Sequence, residues 1–105
     1  MAKRSVVALV KRYAQVLMEH GFPVSAVYLY GSHVHRRAAA NSDIDVLVVS
    51  PVFDVDRYSR VGELWRLTRL VDTRIEPLPA GEKAFAEDQI TPLYEIVRQE
   101  GIRVV

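Results

Sequence analysis

The chain has 105 residues, half of them apolar and 26% charged, with a net charge of +1. That balance belongs to an ordinary globular protein and leaves room for one domain, residues 1–105, and no second. The cations are dispersed as Lys3-Arg4, Lys11-Arg12 and Arg36-Arg37 rather than massed, which excludes a dedicated nucleic-acid binder, and the lack of cysteine excludes disulfides and thiolate metal sites.

Residues Ser5 to His20 predict an amphipathic helix, because Val6, Leu9, Val10, Tyr13, Val16 and Leu17 recur at three- and four-residue spacing. The apolar run Val6 to Val10 stops at Lys11-Arg12, too short for a signal core or a membrane span, so a soluble cytoplasmic protein is expected. Gly21 and Pro23 end the helix. Val24 to Tyr30 is β-branched and aromatic and reads as strand one, running straight into Gly31-Ser32. His33 to Asn41 suits a short helical turn and loop. Asp43 to Ser50 reads as strand two, apolar on both faces from Val46 onward and therefore central. Tyr58 to Leu70 carries a helical stripe of Val61, Leu64, Trp65, Leu67 and Leu70, read as core. Asp72 to Leu78 reads as strand three, ended by Pro77 and Pro79. Glu82 to Glu100 is helical in two pieces, the second opened by Thr91-Pro92 and closed by Gly101. Ile102 to Val105 supplies a last short strand. The order predicts an α/β (α+β) fold, a mixed sheet of about four strands backed by helices.

Two features carry chemistry. Asp43 and Asp45 alternate with Ile44, so both project on one face of strand two. Two carboxylates so close repel each other, and a divalent cation with a preference for oxygen ligands, Mg²⁺ or Mn²⁺, removes that cost. Gly31-Ser32 is the complementary half: glycine allows close backbone approach, and the following N–H groups and the Ser32 hydroxyl offer a seat for phosphate oxygens. A phosphate seat and a metal-binding pair on neighbouring strands make a nucleoside triphosphate site.

The pattern Gly31-Ser32, ten residues, Asp43-Ile44-Asp45 resembles the polymerase-beta nucleotidyltransferase superfamily, and the chain's size resembles its minimal nucleotidyltransferase (MNT) group. The resemblance implies a polymerase-beta-like fold and transfer of a nucleoside monophosphate, AMP from ATP, with release of pyrophosphate. It implies that Asp43 and Asp45 hold two Mg²⁺ ions while Gly31 and Ser32 grip the triphosphate. A third carboxylate on a neighbouring strand would complete one metal site and accept the proton of the attacking hydroxyl. Glu76 is the favoured residue, and Asp72, two pleats earlier on the same face, is the fallback. The family's turn usually continues with a small residue, Arg and Gly, whereas here it continues His33-Val34-His35-Arg36-Arg37, with Arg36 or Arg37 as the alternative source of positive charge.

No acceptor site is visible in so short a chain, so the acceptor is expected on another protein or across a dimer interface. In the family such proteins work beside small helical HEPN toxins as antitoxins, and the resemblance implies that partner. The competing reading is a binding module of the same fold that neutralises a partner by contact. Asp54-Val55-Asp56 repeats the acidic spelling without a preceding Gly-Ser and reads as a loop whose acids favour the coming helix. His20, His33 and His35 read as exposed or structural, with a substrate contact as the alternative for His33 and His35, and Tyr28 and Tyr30 read as strand packing with a nucleotide contact as the alternative.

Overall fold

The computed structural model describes residues 3–35, 39 and 41–105. Helix α1, Arg4–Glu19, buries Val6, Val10, Tyr13, Ala14, Val16 and Leu17. It ends in a Schellman cap: Gly21 turns the chain at φ 77°, its N–H donates to the Met18 carbonyl at 3.0 Å, and the Phe22 N–H donates to the Leu17 carbonyl at 2.9 Å. The accompanying apolar contact is present, since Leu17 and Phe22 both sit in the core.

Strand β1, Ala26–Tyr30, pairs antiparallel with β2, Ile44–Ser50, and β2 pairs parallel with β3, Ile75–Gly81. Two-residue β4, Ile102–Arg103, flanks β1 antiparallel and gives the sheet order β3-β2-β1-β4. Central β2 is buried from Val46 to Ser50, as its two-sided apolar pattern requires. Strand β3 differs from the sequence expectation: it starts three residues after Asp72 and runs through Pro77 and Pro79 instead of stopping at them. It is an edge strand, paired only with β2, and two prolines at alternate positions turn their missing N–H groups toward the unpaired side.

One face of the sheet, bearing Val27, Leu29, Ile44, Val46, Val48 and Ile75, packs on α1, with Leu64 of α3 (Val61–Leu67), Phe22 and Phe53. The other face, bearing Ala26, Leu47, Val49 and Ala80, packs on Tyr94 and Val97 of α5, Pro92–Glu100. Phe85, from α4 (Glu82–Glu87), wedges between Tyr28 and Tyr94 with ring centroids 5.1 and 5.5 Å away. Farther along this second face Tyr30, Asp45 and Glu76 are half-buried and Leu78 is exposed, so that end stays open.

The segment between β2 and β3 also departs from the sequence expectation. Trp65 and Leu70 are 43% and 59% exposed and do not belong to the core, whereas Leu64 is fully buried. The α-helix stops at Leu67 and tightens into a 3₁₀ turn over Thr68–Leu70, which swings Leu70 off the stripe. Asp54 lies within a single helical turn, α2 (Val52–Val55), and its carboxylate accepts the N–H groups of Lys83 and Ala84 at 3.0 and 3.3 Å. It therefore caps α4, far away in sequence, and not the next helix. Among the described residues no helix is long and apolar enough to cross a membrane.

Candidate active site

The strand registers place Tyr30 opposite Asp45, and Asp45 opposite Glu76. The three therefore form one row across β1, β2 and β3, on the face and at the end that α5 leaves open. Asp43 precedes β2 by one residue and shares the face of Asp45 by alternation. Gly31 closes the site from the side. Its φ of +81° is one that side-chain-bearing residues rarely adopt, and a Cβ there would lie 2.5 Å from Oδ2 of Asp45. Glycine at this turn thus makes room for a carboxylate. Ser32 follows in a single 3₁₀ turn, Gly31–His33, too short to carry a helix dipole of any size, so its anion-binding capacity rests on local N–H groups and the hydroxyl.

The electrostatics are those of crowded acids. Asp45 is raised above the ordinary carboxylate range by burial and by the Asp43 charge, with His33 pulling the other way. Glu76 is raised first by a hydrogen bond shared with the Asp43 carboxyl, then by burial and by the charges of Asp43 and Asp45. Burial, with Asp45 and Glu76 adding to it, pushes the Tyr30 phenol up to about 12. A divalent cation would relieve this repulsion, and the all-oxygen donor set suits Mg²⁺ or Mn²⁺. Among the described residues, however, no three carboxylate or imidazole groups already close on a common point where one ion would touch them all.

Asp43, Asp45 and Glu76 are thus brought together beside Gly31-Ser32, and Asp72 is not. Asp72 lies in the turn before β3, where its carboxylate accepts the Arg74 backbone N–H at 2.8 Å and pairs with the guanidinium at 2.9 Å. Those bonds hold its pKa down and commit it to shaping the turn. His35 is 3.6 Å from Glu100 at the end of α5. His20 bonds the Val16 carbonyl at 2.9 Å, and Arg36 and Arg37 lie outside the described residues. Two further neighbours of the acids read in the sequence as structural residues first and as substrate contacts second. Tyr30 becomes one through register alone, and His33, whose Nε2 lies 3.3 Å from the Ser42 carbonyl oxygen, through its interaction with Asp45.

A family model for the polymerase-beta nucleotidyltransferase domain matches residues 11–76, from the middle of α1 through Glu76. Solved structures of similar fold include a candidate nucleotidyltransferase from Sulfolobus solfataricus (TM-score 0.61, 14% identity, 94% of this chain and 78% of that one). Another is a toxin–antitoxin structure with AMP-PNP (TM-score 0.61, 20% identity, covering 90% and 71%). A third is the toxin–antitoxin MntA-HpeT carrying two aspartate-to-glutamate substitutions (TM-score 0.61, 18% identity, covering 90% and 70%). No curated protein matches the sequence. The chain belongs to the polymerase-beta nucleotidyltransferase family, and it shares its fold with these three structures.

Proposed function

We propose that this protein is a metal-dependent nucleotidyltransferase that moves AMP from ATP to a hydroxyl on a partner protein, and that it acts in the cytoplasm as the antitoxin of a small helical HEPN-type toxin. One observation carries the reading: Asp43, Asp45 and Glu76 gather at the open end of one sheet face, beside the Gly31-Ser32 turn. In this reading Asp43, Asp45 and Glu76 hold two Mg²⁺ ions, with Mn²⁺ as substitute. When bound, the ions supply charge neutralisation for the triphosphate and for the acids. The Ser32 hydroxyl and the turn's N–H groups orient the phosphates. Glu76, opposite Asp45 on the neighbouring strand, takes the proton of the acceptor hydroxyl. Two similar folds come from toxin–antitoxin structures, one of them with AMP-PNP, which supports both the nucleotide and the protein acceptor.

Incubation with Mg²⁺, α-labelled ATP and the neighbouring gene product should label that partner, and Asp43→Asn with Asp45→Asn should abolish the label. A second reading, neutralisation by contact alone, is favoured by the absence of a ready three-ligand metal centre among the described residues. It wins if the doubly substituted protein still forms the complex and still neutralises the partner.

A further inference from the structure

Asp43 lies just outside β2, so the sheet ladder does not fix its backbone directly. On its C-terminal side the Ile44 N–H donates to the Arg74 carbonyl at 2.8 Å. On its N-terminal side stands Ser42, whose carbonyl oxygen lies 3.3 Å from Nε2 of His33. His33 is 8% exposed and belongs to the turn that also contains Gly31, the residue against which the Asp45 carboxylate rests. One buried ring therefore joins the turn after β1 to the backbone that carries Asp43.

We propose that His33 is a positioning residue: by donating its Nε2–H to the Ser42 carbonyl it holds Asp43 in register with Asp45 and Glu76 for divalent-cation binding. The proposal rests on the metal-nucleotide reading of the site. It differs from a packing role, because a side chain of equal reach without a donor would fill the space and lose the clasp. It differs also from a substrate contact, because Nε2 is engaged with backbone.

The test compares His33→Gln, which keeps a donor at similar reach, with His33→Met, which does not. Mn²⁺ affinity is read by calorimetry alongside the melting temperature of each variant. The Met variant should melt near wild type yet bind Mn²⁺ at least about tenfold more weakly, the loss typical of a group that orients a metal ligand, while Gln stays within a few-fold. Wild-type affinity in the Met variant, or an equal loss in both, overturns the proposal. Ring ¹⁵N shifts of the wild-type protein at mildly alkaline pH give a second reading that needs no variant. A protonated Nε2 is expected, and a bare Nε2 overturns the clasp even if the Met variant does not fold. Failure of the wild type to bind Mn²⁺ would instead sink the metal reading, leaving the ring spectrum to decide whether His33 holds Ser42.

Discussion

At the scale of single residues, Gly31 and Asp88 show how one position can set a local outcome. Gly31→Ala would have to hold a left-handed φ, costing about 1–2 kcal/mol, and would force the Asp45 carboxylate aside. A fall in melting temperature of at least about 4 °C is expected by calorimetry for a domain this size. Mn²⁺ affinity should fall with it, since the same Cβ displaces a proposed ligand. Asp88 lies between α4 and α5, where it accepts the Thr91 hydroxyl and the N–H groups of Thr91 and Ile90, the last two at 3.0 and 2.7 Å. These bonds hold its pKa at about 2, below an ordinary 3.8. A depressed acid stabilises the fold above its unfolded pKa and loses that contribution as pH falls through the folded value. Asp88→Asn should therefore melt below wild type at neutral pH, and the gap should close between pH 3.8 and about 2. A gap that persists unchanged to the acid end would show that the charge contributes nothing.

At the scale of elements, α4 has only six residues and owes its start to Asp54, which reaches across from α2. Gly81 permits that approach, because a Cβ there would lie 2.2 Å from the Asp54 carboxylate. Asp54→Ala should cost about 1 kcal/mol, as the loss of an N-cap does, and denaturant unfolding would measure it. Hydrogen exchange at the Lys83 and Ala84 amides should rise in the same variant. The sequence could show Asp54 as a helix-favouring acid, but not which helix it would serve, because that depends on a contact 29 residues away. The same distinction runs through the other elements. Helix α1 was legible because its apolar spacing and its Gly21 stop are local. Strand β2 was legible because burial on both faces leaves an uninterrupted apolar run. Strand β3 reads short in the sequence, since a proline interrupts a strand only when that side of the backbone is paired, and pairing is a property of the sheet. Leu70 reads as core because a stripe assumes a helix long enough to keep its phase, and α3 ends after seven residues, whereas Trp65 lies within α3 beside fully buried Leu64 and is left at the margin of its apolar face.

At the scale of the whole molecule, the site is legible in part for the same reason. Alternation along β2 puts Asp43 and Asp45 on one face, whereas their adjacency to Glu76 and Tyr30 follows from registers that join segments remote in sequence. The fold thus concentrates acids where each raises another's pKa, and that has a cost the protein must carry when no cation is bound. Asp45 and Glu76 both bind protons more tightly folded than unfolded. The sign is opposite to that of Asp88: a raised acid favours the fold below its unfolded pKa and weakens it as pH rises through the folded value. At neutral pH the cation-free protein therefore carries the full repulsion. Replacing Asp43 and Asp45 by Asn should raise its melting temperature under chelator while removing the response to Mg²⁺ and ATP. In the wild type, ligand at about a hundredfold its Kd adds about 2.7 kcal/mol by mass action, and the substituted protein gains none of it. The two melting curves should then cross in rank on adding Mg-ATP: the substituted protein is the more stable without ligand and the less stable with it. A substituted protein that melts lower under both conditions would mean that the acids support the fold itself, and the site would lose its claim to having been kept for a cation.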